Sequence, residues 1–159
     1  MIEARELIGR PIVVGLDDSG TAQRALRTAV GLARALGSEL VVVSAYRRVG
    51  RGRELHAIGR DAPSDVAWRV QANSAVRSLL DDAREQAEAA GIPIACVARE
   101  GPPARVIVDV AAETDAGLVI VGNRGMRGAR RPSDSVPGTV AERASCSVLI
   151  VDTVSAAAA

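Results

Sequence analysis

The sequence has almost no aromatic side chains and no lysine. Aromatics make up 1% of its 159 residues, Tyr46 and Trp68, with no phenylalanine. Its core must be aliphatic, and the stacking platform on which single-stranded nucleic acid lies is missing. All 20 basic residues are arginine. That excludes every mechanism resting on a lysine amine: a Schiff base, the phosphate-loop lysine, or the lysine of a response-regulator receiver. The formal net charge is +1, which gives no electrostatic ground for binding nucleic acid or an anionic membrane. Histidine occurs once, His56, inside a Gly/Arg-rich stretch, with no H-x-E, HExxH or Gly-x-Ser-x-Gly nearby. It reads as a surface residue, not a metal ligand or a hydrolytic base. The two cysteines, Cys96 and Cys146, form no CxxC and read as two buried, reduced thiols. No apolar run reaches roughly 18 residues, the length of a membrane span. Met1–Arg10 is polar and mixed, not a charged-then-apolar leader. The expectation is a soluble, cytoplasmic protein.

What is present is globular in kind: 48% apolar and 25% charged residues. The length suits one domain over 1–159, with a core from about 10 to 152, a mobile loop at 46–63 and a frayed tail at 153–159. Short, β-branched, continuously apolar runs predict a strand buried on both faces at 11–16 and a second buried strand at 40–45, with further strands at 94–98, 118–121 and 147–151. Helical spacing of apolar residues predicts a helix over 21–36, closed by Gly37. A long helix follows from a cap at Ser64 or Asp65 to about Ala90, closed by Gly91. A third helix starts at Gly101-Pro102-Pro103 and runs to about Glu113, and a short one covers 136–144. Asp17-Asp18-Ser19-Gly20 is a turn rich in helix-capping residues, with Asp18 and Ser19 as the caps. Strands alternating with helices specify a doubly wound parallel sheet of five strands. Ligands of such sheets bind beyond the strand ends where the strand order reverses. Those positions are Leu16-Asp17-Asp18 and Gly122-Asn123-Arg124-Gly125.

Paired acids after a first strand also occur in receivers, where they hold Mg²⁺. A receiver needs a lysine after the fifth strand and a phosphorylatable aspartate after the third. Here lysine is absent, and Ala98-Arg99-Glu100 follows the predicted third strand.

Taken together, Val13-Val-Gly-Leu-Asp-Asp-Ser-Gly20, Gly101-Pro-Pro-Ala-Arg-Val-Ile107, Gly117-Leu-Val-Ile-Val-Gly-Asn-Arg-Gly125, Ser135-Val-Pro137 and Ala144-Ser-Cys-Ser-Val-Leu-Ile-Val151 resemble the universal stress protein family in its actinobacterial style. The resemblance covers nearly the whole chain. It implies an adenine nucleotide alpha hydrolase-like fold of strand order 3-2-1-4-5. It also implies a homodimer paired through the fifth strand, Ser147 to Val151, and a role in stress adaptation, alongside unidentified protein partners. One branch of the family binds ATP or a related adenine nucleotide between strands one and four, with Mg²⁺ only as the nucleotide's companion. Carried over by residue, Leu16 and Asp17 would contact the adenosine moiety, and Ala45 would lie against the adenine. Val121, Gly122, Arg124 and Gly125 would line the ribose and phosphates. Ser135 and Val136 would present a hydroxyl and backbone N–H groups to the phosphates. No residue is placed as a general base, so no enzymatic turnover is implied beyond slow ATP hydrolysis.

The chain departs from the family's Gly-x2-Gly-x9-Gly-Ser/Thr loop. Counted from Gly122 and Gly125 and anchored on Ser135, the loop is one residue short, and Asp134 stands where the last glycine belongs. A second register, Gly125-x2-Gly128-x9-Gly138-Thr139, fits by count but starts three residues off the strand end. A carboxylate about 5 Å from a phosphate costs roughly 1 kcal/mol in water and about 3 at an effective dielectric near 20. Arg124, Arg127, Arg130 and Arg131 in the same loop oppose that cost. The alternative is a nucleotide-free dimeric interaction module of the same fold with a degraded phosphate loop.

Overall fold

The computed structural model describes residues 7–46, 66–123 and 135–151, with residues 66–73 described as helix path only. Among the described residues nine elements alternate: β1 (Ile12–Gly15), α1 (Gly20–Leu36), β2 (Leu40–Tyr46), α2 (Val66–Ala89), β3 (Ile94–Glu100), α3 (Pro103–Glu113), β4 (Leu118–Gly122), α4 (Val136–Arg143) and β5 (Ser147–Val151). The five strands form one sheet in the order β3-β2-β1-β4-β5, and every neighbouring pair is parallel. This is the doubly wound arrangement and the strand order expected above.

The alternation of the pleat sorts the apolar strand residues into two layers. Ile12, Val14, Leu16, Val42 and Ile120 pack under α1 and α2 with Leu26, Ala29 and Ala83. Val13, Val43, Val119 and Val121 pack under α3 and α4 with Ile107, Val110 and Val140. Among the described residues, aliphatic and alanine side chains fill both layers.

α1 starts on Ser19, whose hydroxyl accepts from the Ala22 N–H, and stops at Gly37 in the left-handed region (φ 62°). The cap is Ser19. Asp18 is exposed and is not the capping residue, because the helix begins two residues beyond it. α3 has proline at its start, and its cap, Pro102, offers no side-chain bond. The turn after α3 places Asp115 at φ 51°, and the Arg10 guanidinium closes it by donating to the Asp115 carbonyl (3.0 Å) and carboxylate (2.7 Å).

The structure corrects three of the boundaries and burial expectations. Ala98, Arg99 and Glu100 do not follow β3; they belong to it, paired with Ser44, Ala45 and Tyr46. Gly122 is the last residue of β4, opposite Val151, and not the first of a loop. Cys96 and Cys146 are both free and only half-buried, because each lies on or beside an edge strand. Burial still pushes both thiols above their ordinary range, against the opposing influence of Arg84 on Cys96 and Arg10 on Cys146. Protonated thiols are weak nucleophiles. Most of the 46–63 segment, the 153–159 tail, His56, the Ser64 and Asp65 cap and the Asp134 loop lie outside the described residues. No described helix is long and apolar enough to cross a membrane.

Candidate functional site

The ends of the β-ladders locate the site. β1 pairs with β4 only as far as Val14 opposite Ile120. On the other side of each strand pairing continues: Gly15 stays opposite Val43, and Gly122 stays opposite Val151. The exits diverge further. Leu16 N–H donates to the Val43 carbonyl (2.8 Å), toward β2, while Asn123 N–H donates to the Val151 carbonyl (3.2 Å), toward β5. β1 and β4 therefore part at their carboxyl ends, and a crevice opens at the point where the strand order reverses.

Asp17 is the first residue past the β1 exit and is exposed. Its Oδ1 accepts from the Ser19 backbone N–H (2.9 Å) and from the Ser19 hydroxyl. The Ser19 hydroxyl also lies 2.9 Å from that of Thr21. Across the crevice Gly122 presses on the first turn of α1. A Cβ there would sit 2.7 Å from the Thr21 carbonyl oxygen and 2.9 Å from its carbonyl carbon, so only glycine lets β4 and α1 approach this closely.

Ala45 and Val121 share the α3–α4 face of the sheet near its carboxyl end. Leu16 points the other way, into the core beneath α1 and α2. Leu16 and Val121 are each only 3% exposed, and Ser135 is 7% exposed. The surface presented to a ligand by the described candidates therefore comes from Asp17, Ala45, Gly122 and Val136, the last being 36% exposed although apolar. Ser135 caps α4 by accepting from the Gly138 N–H (3.1 Å). Its hydroxyl thus holds the helix start in place and leaves the Val136 end of α4 as the exposed part. Arg124 and Gly125 lie outside the described residues. Removing the Ser135 cap is expected to cost about 1 kcal/mol. Ser135→Ala should therefore melt on the order of 2–4 °C lower in a thermal scan, whereas Ser135→Thr should melt near the parent.

Two features of the site carry no sequence signal. One is the packing of Gly122 on the Thr21 carbonyl, which joins residues 101 positions apart in the chain. The other is Gly101 at the rim, with φ 146° and its N–H donated to the Tyr46 carbonyl (2.9 Å), which ties the β3 exit to the β2 exit. Arg99, beside Ala45 in the ladder, is engaged elsewhere: its guanidinium donates to both oxygens of Glu113 (2.8 and 2.7 Å) and holds that carboxyl below its usual range. Among the described residues no three His, Cys, Asp or Glu side chains gather as a metal site.

Helices that return antiparallel to the strands bring their N-termini to this end of the sheet, where unpaired N–H groups and the partial positive charge favour an anion. The arrangement thus combines an exposed carboxylate, a close glycine approach and two helix starts, α1 and α4.

The profile of the universal stress protein family matches residues 9–152. A universal stress protein of Mycobacterium tuberculosis is 34% identical over 151 residues, covering 91% of this chain and 97% of the relative. A crystal structure of a universal stress protein in complex with cAMP is 28% identical, with a TM-score of 0.68 over 89% of this chain and 96% of that one. The universal stress protein of Archaeoglobus fulgidus in complex with dAMP is 27% identical, with a TM-score of 0.64 over 90% of this chain and 98% of that one.

Proposed function

This chain belongs to the universal stress protein family, and from that premise we propose that it binds an adenine nucleotide, ATP or a relative of it, in the crevice between β1 and β4. The observation that carries the reading is the parting of β1 from β4 beyond Val14 and Ile120, with Gly122 packed on Thr21 on one side and Asp17 exposed on the other. Two relatives of the same fold hold cAMP and dAMP, which supports an adenine nucleotide as the ligand class.

In this reading Asp17 accepts from a donor on the adenosine moiety, together with backbone atoms of Leu16, and Ala45 lies against the base. Val121 and Gly122 back the sugar and phosphates. Arg124 and Gly125 continue that lining, and the exposed start of α4 at Val136, held by Ser135, faces the phosphates. Mg²⁺ arrives only with the nucleotide. The site binds and does not turn over its ligand at any dedicated rate: the residues named supply acceptors, donors and charge, not a general base. Binding in turn serves stress adaptation. The working unit is a homodimer paired through β5, Ser147–Val151, a sheet-edge strand whose five residues are all half-buried in the single chain.

Calorimetric titration with ATP and Mg²⁺, AMP and GTP tests the reading. Saturable binding of ATP and AMP but not GTP is expected. Asp17→Ala should weaken binding about tenfold, or about 1.4 kcal/mol. Unchanged affinity in that variant would place the ligand elsewhere. No heat at millimolar ATP would favour the nucleotide-free interaction module, for which the shortened loop and Asp134 speak.

A further inference from the structure

We propose that Ser19 and Thr21 form a two-hydroxyl positioning relay that fixes the Asp17 carboxylate for its ligand. This rests on the reading of the crevice as an adenine-nucleotide site and adds how one side of that site is set.

The direction of the relay follows from counting protons. A carboxylate only accepts. Asp17 Oδ1 therefore takes the hydroxyl proton of Ser19, alongside the Ser19 backbone N–H at 2.9 Å. With its one proton spent, the Ser19 oxygen can only accept from its remaining neighbours. One is the Ala22 N–H at 3.2 Å, the cap of α1. The other is the Thr21 hydroxyl at 2.9 Å, which must then be the donor. The chain runs Thr21 to Ser19 to Asp17, and each donor polarises the next.

The relay has a fixed anchor. The Thr21 carbonyl is the atom that packs on Gly122. The carboxylate on the β1 side of the crevice is thus referenced to the glycine on the β4 side. An exposed aspartate without such a hold samples several staggered rotamers and must be ordered when a ligand binds. A held one is already in place. Ser19 has a second duty as the α1 cap, so its removal mixes two effects. Thr21→Val removes only the terminal donor and keeps the shape of the side chain.

The test uses the full chain in three forms of position 21: parent, Thr21→Val and Thr21→Ser, with Thr21→Ala as the substitute if valine disturbs the helix start. Three-bond couplings that report the Asp17 χ1 angle are measured by NMR without ligand. AMP affinity is measured by calorimetry in the same proteins, in Asp17→Ala and in the Asp17→Ala/Thr21→Val double variant. The parent should show a single Asp17 rotamer. Thr21→Val should show averaged couplings and about 3- to 5-fold weaker AMP binding, about 0.7–1 kcal/mol by the affinity relation. Thr21→Ser should restore both. Adding Thr21→Val to Asp17→Ala should change nothing further, as for two residues acting through one contact. Unchanged couplings in Thr21→Val, or the same loss of affinity with and without Asp17, would overturn the relay. If the parent fails to bind AMP, the nucleotide reading falls, and the couplings alone decide the relay.

Discussion

Replacing Gly122 by alanine is expected to remove measurable adenine-nucleotide binding and to cost about 1–3 kcal/mol of stability, the usual penalty for forcing atoms into a packed region. The added Cβ would lie 2.7 Å from the Thr21 carbonyl oxygen, a backbone atom of α1 that no rotamer change can move. Either β4 or the start of α1 must shift. Both border the crevice, and a shift of the α1 start also displaces Thr21, which bonds to Ser19 and through it to Asp17. Gly15 offers the contrast. A Cβ there would come within 2.6 Å of Ile107, but of its terminal Cδ1, which can rotate away. Gly15→Ala should therefore be the milder of the two in both chemical denaturation and calorimetry. If the two variants lose stability and affinity equally, the close approach of β4 to α1 is not what shapes the site.

The largest loss of stability is expected from Leu26→Ala. Leu26 is fully buried in the layer beneath α1 and α2, where it packs with Val14, Leu16 and Ile120. Truncation removes the transfer free energy of the lost methyl groups and leaves a cavity, together about 2–5 kcal/mol. For a chain of this size a loss of about 3 kcal/mol lowers Tm on the order of 6–12 °C. The neighbours are alanines on α1 and β-branched residues on central strands, which have little freedom to close the gap. Leu26 packs on the Leu16 side chain, whereas the proposed ligand contact of Leu16 is through its backbone, so the folded variant should keep its nucleotide affinity at low temperature. A Tm drop of only a degree or two would mean the aliphatic layer repacks more readily than its composition implies.

How much of this was legible in the sequence depends on whether the signal was local. Buried parallel strands advertise themselves as runs such as Ile12-Val-Val and Leu118-Val-Ile-Val, and helix ends as Ser19 and Gly37, because those residue types answer local backbone demands. The strand order also follows once the motifs are recognised together. The edge strand β3 was read too short because its last residues, Ala98-Arg99-Glu100, are paired through their backbone to β2 while their side chains are small or charged. Arg99 in particular is tied to Glu113 on α3, a contact 14 residues away that no periodicity announces. The half-burial of Cys96 and Cys146 was misjudged for the same reason, since sheet-edge position is a property of the fold. At the site, Asp17 and Gly122 were visible as residues just after predicted strands. Their connection through Thr21 was not, because it depends on where α1 starts relative to β4. The burial of Val121 and Ser135 was equally hidden, whereas that of Leu16 follows from its place in a strand expected to be buried on both faces. It narrows the exposed part of the site to fewer residues than the motif suggested.

The central claim, that an adenine nucleotide occupies the β1/β4 crevice, is tested most directly by mapping amide shifts in the ¹⁵N-labelled protein as AMP is added. The largest changes are expected at Leu16–Thr21, at Val121–Asn123, and at Val136 and Gly138. Residues at the opposite end of the sheet, Ser38, Glu39, Ile92, Ala116 and Gly117, should stay still. Shifts concentrated at that opposite end, or no shifts at millimolar AMP, would contradict it.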